Sequence, residues 1–246
     1  IFKQEHIESS FSEPLEQIRS SSFTDIRSGE VSGGAIAISG NSISIKNSEI
    51  RGLTYGNANV GQISLEASLG LYLENSDVEG RTFFQGNVAP IKVSASPVVL
   101  RNSRIGGDNR KEGYIGSITV DGGTKVELDN SRIGNFDVQG ITGVGAVTVN
   151  AESIVVNNGG VGSTGNKAGN AGVVINATNG SVDINDASIN ADGRGGKGGL
   201  ASITASDFIS ITNDSNVTTT GTFGGGAINL TAKSVLVDDS SLRSGD

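Results

Sequence analysis

The sequence contains no Cys, no Met and no Trp, and its only His is His6. Without Cys there are no disulfides and no thiolate metal sites. With one His, a Ser–His–Asp arrangement cannot be assembled on the body of the chain. No second His or spaced carboxylate set surrounds His6, so it reads as a solvated side chain and not as a metal ligand or general base. Aromatics make up only 4% of residues. A compact enzyme of this size normally fills its core with them, so here Ile, Val and Leu must serve, in small portions.

Positive charge is also scarce. The 18 Lys and Arg are outnumbered by 26 Asp and Glu, for a formal net charge of -8. This balance weighs against nucleic acid as a partner, because such binding rests on phosphate neutralisation. It weighs equally against a basic membrane-surface anchor. No apolar run approaches the roughly 18 residues that span a bilayer, so no transmembrane segment is expected. With no Met, Ile1 is not a translation start. The expectation is a chain cleaved ahead of Ile1 or a segment of something longer, and no export-signal pattern is visible at its start.

What the sequence does have is Gly, at 37 of 246 residues, and a repeat. Around Ala35-Ile36-Ala37-Ile38 and Ile43-Ser44-Ile45, apolar residues alternate with small or polar ones, the period of a half-buried strand. The position of Ile38 recurs at Leu65, Val93, Val120, Val149, Ile175, Ile203 and Leu230. A second column runs through Ile45, Leu73, Leu100, Leu128, Val156, Ile184, Ile211 and Val237. A third runs through Ile50, Val78, Ile105, Ile133, Val161, Ile189, Val217 and Leu242. Three columns sharing one period predict an all-β fold. Each turn has three short strands and about 27–28 residues, in about eight rungs, and the chain winds as a right-handed parallel β-helix. The repeat occupies residues 31–246. Residues 1–30 fail it, and are expected to form an amino-terminal cap or a segment that pairs with a neighbour.

Two turn features track the columns. Gly34, Gly61, Gly116, Gly145, Gly172 and Gly226 precede first strands, where a positive φ is expected as the chain folds back. Asn47, Asn75, Asn102, Asn130, Asn158, Asp186, Asn213 and Asp239 follow second strands. Such residues tolerate left-handed backbone, and stacked amides can bond from rung to rung as a ladder.

Chemistry beyond stacking is sparse. Glu49, Asp77, Arg104 and Arg132 share one column and Arg101 and Asp129 another, a pattern of surface charge ladders worth little stability. The run Gly193–Gly199 lacks the Ser or Thr of a phosphate loop and reads as an extended turn. Most aromatics, namely Tyr55, Phe83, Phe84, Tyr114, Phe136 and Phe223, fall in the turn between third and first strands. Tyr55, Phe83 and Tyr114 are a candidate contact strip for a sugar ring or a partner protein, against the alternative that they shield the core. No catalytic residue, metal ligand or cofactor is expected.

Segments such as Gly169-Asn170-Ala171-Gly172-Val173-Val174-Ile175-Asn176-Ala177, Val182-Asp183-Ile184-Asn185-Asp186-Ala187-Ser188-Ile189 and Gly225-Gly226-Ala227-Ile228-Asn229-Leu230 resemble the repeat of filamentous-haemagglutinin-like exoproteins. The resemblance covers about residues 33–244 and implies a secreted or cell-surface protein, exported through a dedicated partner pore, that acts as an adhesin or fibre. The Asn-Pro motifs of that family's secretion domain do not occur in these residues. The expectation is an extracellular structural or adhesive rod that stacks end to end or meets a cell-surface or glycan partner. The alternatives are a polysaccharide-active enzyme and a tailspike-like receptor binder on the same scaffold.

Overall fold

A computed structural model describes residues 24–28, 33–109, 113–135, 143–165 and 172–245. His6, Phe136 and the proposed cap up to residue 23 lie outside these. The described residues contain strands and no helix. Every strand pairing is parallel and joins one rung to the next, forming a right-handed parallel β-helix. First and second strands each stack eight deep, which makes about seven turns of the solenoid. At a parallel-strand spacing of about 4.8 Å the stack is on the order of 35–40 Å long.

All three columns stack in register along their full length, for example Ile38 on Leu65, Leu73 on Leu100 and Val217 on Leu242. Their side chains form one continuous core from Ile36 to Val217. Most of these residues are completely buried, each contributing about 1.5–3 kcal/mol relative to exposure. The first two rungs depart from three separate strands. There the first and second strands run together as Ile36–Lys46 and Ile63–Glu74, with a register irregularity between Gly40 and Ser42.

The third-strand stack is nine deep because Thr24–Ser28 pairs with Glu49–Thr54. Parallel pairing therefore begins ahead of residue 31. In that pairing Thr24 stands opposite Ile50, and Ile26 stands opposite Gly52.

The polar turn column has one constant property. All eight residues from Asn47 to Asp239 have a left-handed backbone, with φ between 47° and 54°. An L residue with a large side chain resists that conformation by about 1–2 kcal/mol, and Asn and Asp resist it least. The amide ladder is partial. Asn75 Nδ2 donates to Asn47 Oδ1 at 3.2 Å, and Asn130 Nδ2 donates to Asn102 Oδ1 at 2.7 Å. The Asn213 amide instead reaches the Oδ1 of Asn185.

The neighbouring serines build a more regular ladder. The backbone N–H groups of Ser48, Ser76 and Ser103 donate to the Oγ atoms of Ser76, Ser103 and Ser131, at 3.2, 3.1 and 3.0 Å. Ser103 and Ser131 Oγ donate in turn to the carbonyls of Arg101 and Asp129, each at 2.7 Å. Buried N–H groups at the corner are thereby satisfied without water, as burial requires.

The turn glycines do not take the expected positive φ. Four of them, Gly61, Gly116, Gly145 and Gly226, are needed for close approach instead, while nothing lies within 4 Å of a Cβ built on Gly34. A Cβ on Gly61 would lie 2.5 Å from the carbonyl oxygen of Gly34, and one on Gly145 would lie 2.4 Å from the Ser117 nitrogen. The backbones of successive turns leave no room for a side chain.

A fourth apolar column accompanies the other three in the early rungs. Val60, Val88, Ile115 and Val144 stack from turn to turn, all but completely buried. They press on Gly52, Gly80 and Gly107, where a Cβ would come within 2.6, 2.5 and 2.5 Å of Val60, Val88 and Ile115 methyls. Glycine in the third strand thus makes the socket and the turn supplies the plug.

Candidate functional site

The third strand and the turn after it gather most of the unusual side chains in rungs one to three. The outward column expected to be a plain charge ladder is present, with Asp77 opposite Arg104 and Arg104 opposite Arg132. Two and four residues further along these strands, the arrangement changes. Arg51 is in register with Glu79, and Arg81 with Asp108. Glu79 is only 2% exposed. Arg81 Nη2 approaches its Oε1 at 2.8 Å, Arg51 Nε its Oε2 at 3.5 Å and Arg104 Nη1 its Oε1 at 3.8 Å. Arg81 Nε also meets Asp108 Oδ2 at 3.0 Å, and Arg51 Nη2 meets Glu49 Oε1 at 2.7 Å.

Burial raises the Glu79 carboxyl above the usual range, and the guanidiniums of Arg81 and Arg104 offset this only in part. The network holds its members rigidly. It is not a source of large net stability, because desolvation cancels much of the Coulomb gain.

The turn that follows begins alike in rungs one and two. Thr54 and Thr82 are fully buried, and their Oγ1 atoms accept the backbone N–H groups of Gly56 and Phe84 at 3.3 and 3.4 Å. A hydroxyl bonded two residues ahead fixes the turn. The next residues, Tyr55 and Phe83, therefore leave the sheet in the same direction. Their rings stack with centroids 4.8 Å apart and planes 2° from parallel. The Arg81 guanidinium carbon lies 5.8 Å from the Phe83 centroid, so the charge network adjoins the aromatic pair.

Tyr114 does not join that stack. It belongs to a neighbouring column, where its backbone N–H donates to Asn87 Oδ1 at 2.8 Å and the Asn87 N–H donates to Asn59 Oδ1 at 2.9 Å. The candidate strip is therefore two columns side by side, one aromatic and one of amides ending in a tyrosine. Tyr55 and Tyr114 are 45% and 47% exposed and Phe84 is also exposed, so these rings do more than shield the core. Phe223 is exposed four rungs away and is not part of this face.

Elsewhere, the Gly193–Gly199 turn borders a shallow depression of about 310 Å³ lined by Asp192, Arg194, Thr220 and Thr222. Asp192 is already taken up there. Its Oδ1 accepts from Thr220 N and Thr220 Oγ1, and its Oδ2 from Thr218 Oγ1. Among the described residues, no group of three or more His, Asp or Glu is placed to hold a metal ion. No helix among them is long and apolar enough to cross a membrane. No family model, no curated protein and no solved structure matches this chain.

Sequence reasoning missed the Glu79 network, the serine ladder and the fourth column. The fourth column was detectable, since Val60, Val88, Ile115 and Val144 recur at 28, 27 and 29 residues. The Asn-Ser pair recurs at Asn47-Ser48, Asn75-Ser76, Asn102-Ser103 and Asn130-Ser131.

Proposed function

We propose that this chain is an extracellular structural and adhesive element, a rod that holds irregular turns along one side for contact with a cell surface. The observation that carries the reading is the exposed aromatic and amide face of rungs one to three, held on described strands that stack in register. Rigid placement of exposed aromatics on a scaffold is how recognition surfaces gain affinity without a large ordering cost. The absence of Cys from the sequence suits a fold stabilised by a continuous hydrogen-bond ladder, and the resemblance to filamentous-haemagglutinin-like repeats points the same way. No catalytic step, cofactor or nucleic acid is part of the proposal.

The stack also supports extension. Each rung pairs in parallel with the next through the same three columns, as residues 200–220 do with residues 227–245. A parallel edge with apolar columns accepts another rung of the same repeat, carried by the same chain or by a second copy.

The experiment is adhesion of the fluorescently labelled purified chain to intact cells and extracellular matrix, with localisation of the native protein by antibody. Surface localisation and saturable binding are expected. An intracellular location, or no saturable binding to any surface, would contradict the reading.

A further inference from the structure

We propose that the paired columns Tyr55–Phe83 and Asn59–Asn87–Tyr114 form a binding site for an uncharged oligosaccharide lying along the rod axis. The inference rests on the adhesive reading and gives its partner a chemistry. Three properties of the face select that ligand class.

The first is the combination of groups. Aromatic rings offer apolar area to the C–H face of a sugar ring. Beside them stand exposed amides whose orientation is fixed, because the Oδ1 atoms of Asn59 and Asn87 each accept a backbone N–H from the next rung. With Oδ1 occupied, the Nδ2 groups are left as donors for hydroxyl oxygens.

The second is charge. Glu49, Arg51, Asp77, Glu79, Arg81, Arg104, Asp108 and Arg132 on the adjoining strand face amount to four negative and four positive side chains. Arg81, nearest the aromatic pair, has its guanidinium engaged by Glu79 and Asp108. Six of the eight, Glu49, Arg51, Glu79, Arg81, Arg104 and Asp108, are joined in ion pairs, three of each sign, and such a balanced set favours neither an anionic nor a cationic partner. The third is periodicity. Neighbouring members of each column stand one rung, about 4.8 Å, apart, so two rings and two amides recur at that step along the rod axis before Tyr114 closes the second column.

The test is affinity electrophoresis of the purified 246-residue chain in gels containing a neutral polysaccharide (galactomannan, xyloglucan or mixed-linkage β-glucan), with polygalacturonate and heparin gels as anionic probes. Retardation is expected in at least one neutral gel and in neither anionic gel. Tyr55→Ala and Tyr114→Ala should each weaken it about tenfold, the effect of losing one central aromatic contact. Asn87→Asp keeps the Oδ1 acceptor for Tyr114 N–H and replaces the Nδ2 donor with a carboxylate oxygen, so it should weaken retardation while leaving the thermal midpoint little changed. Phe83→Ala is avoided because Phe83 is half-buried in the stack. The proposal is overturned by no retardation in any neutral gel, by retardation in anionic gels alone, or by retardation that all three variants retain. If the chain adheres to cells and the variants adhere equally well, the glycan site fails and the adhesive reading stands. If the wild-type chain adheres to no surface, the adhesive reading itself fails.

Discussion

Replacing Gly80 with Ala should destabilise the solenoid through a single collision. The new Cβ would sit 2.5 Å from Val88 Cγ1, while carbon atoms in contact prefer about 3.5–4.0 Å. Val88 must therefore retreat by roughly 1 Å, and little allows it to. Its χ1 is stiff because it is β-branched. Its N–H donates to the Tyr114 carbonyl at 2.9 Å, and its carbonyl accepts from Gly116 N–H at 2.7 Å. Overpacking of this kind costs about 1–3 kcal/mol. Gly80 has no positive φ, so Ala would also restrict the unfolded chain, returning about 0.4–1 kcal/mol. The net expectation is a loss of about 1–2 kcal/mol in urea denaturation followed by circular dichroism. Gly34→Ala, where nothing lies within 4 Å of the new Cβ, is the control and should be neutral or slightly stabilising. The Gly80→Ala/Val88→Ala pair should be less destabilised than the sum of its single variants, because the Cβ would be 3.8 Å from Val88 Cβ. Equal midpoints for Gly80→Ala and Gly34→Ala, or strict additivity in the cycle, would refute the plug-and-socket account.

Asn130→Ala should lower stability by about 1 kcal/mol and Asn130→Gly much less, since φ at this position is 48°; thermal midpoints of the two variants compare them. Ser103→Ala should cost about 1–3 kcal/mol by leaving the buried Ser76 N–H without its acceptor, and faster hydrogen exchange at the Ser76 amide reports that loss. For Glu79, folding raises the carboxyl pKa, so the native state binds more protons than the unfolded one between the ordinary carboxylate pKa and the raised one. Its contribution to stability is therefore fully present below that window and is lost as pH rises through it. Urea midpoints measured at several pH values should show this downward slope in the wild type and its absence in Glu79→Gln.

The columns were legible in the sequence because each inner residue is flanked by polar ones and repeats at nearly constant spacing. The eight left-handed turns were legible because few residues besides Gly, Asn and Asp accept that backbone. Other features resisted for physical reasons. Val60, Val88 and Ile115 are isolated apolar residues inside variable turns, with no alternating neighbours to mark a strand. Their meaning lies in glycines eight residues earlier, which look like strand breakers until the socket is seen. Gly61, Gly116, Gly145 and Gly226 look conformational in the sequence and are steric in the fold, a distinction that depends on the distance to the next rung. Glu79 is buried among arginines of its own and both adjacent rungs, which sequence spacing alone does not bring together. Tyr55 and Phe83 were expected in one strip with Tyr114. The strand register stacks the first two, and the turn sets the third one column aside.

The central claim, that these rungs form a rod that can extend by parallel stacking, is tested most directly by native mass together with electron microscopy of the purified chain over a range of concentrations. The account predicts rods on the order of 35–40 Å per copy that join along their axis as concentration rises, with masses in multiples of 25.0 kDa. Compact, isotropic particles would contradict it, and rods that remain single at every concentration would contradict a second copy as the source of the next rung.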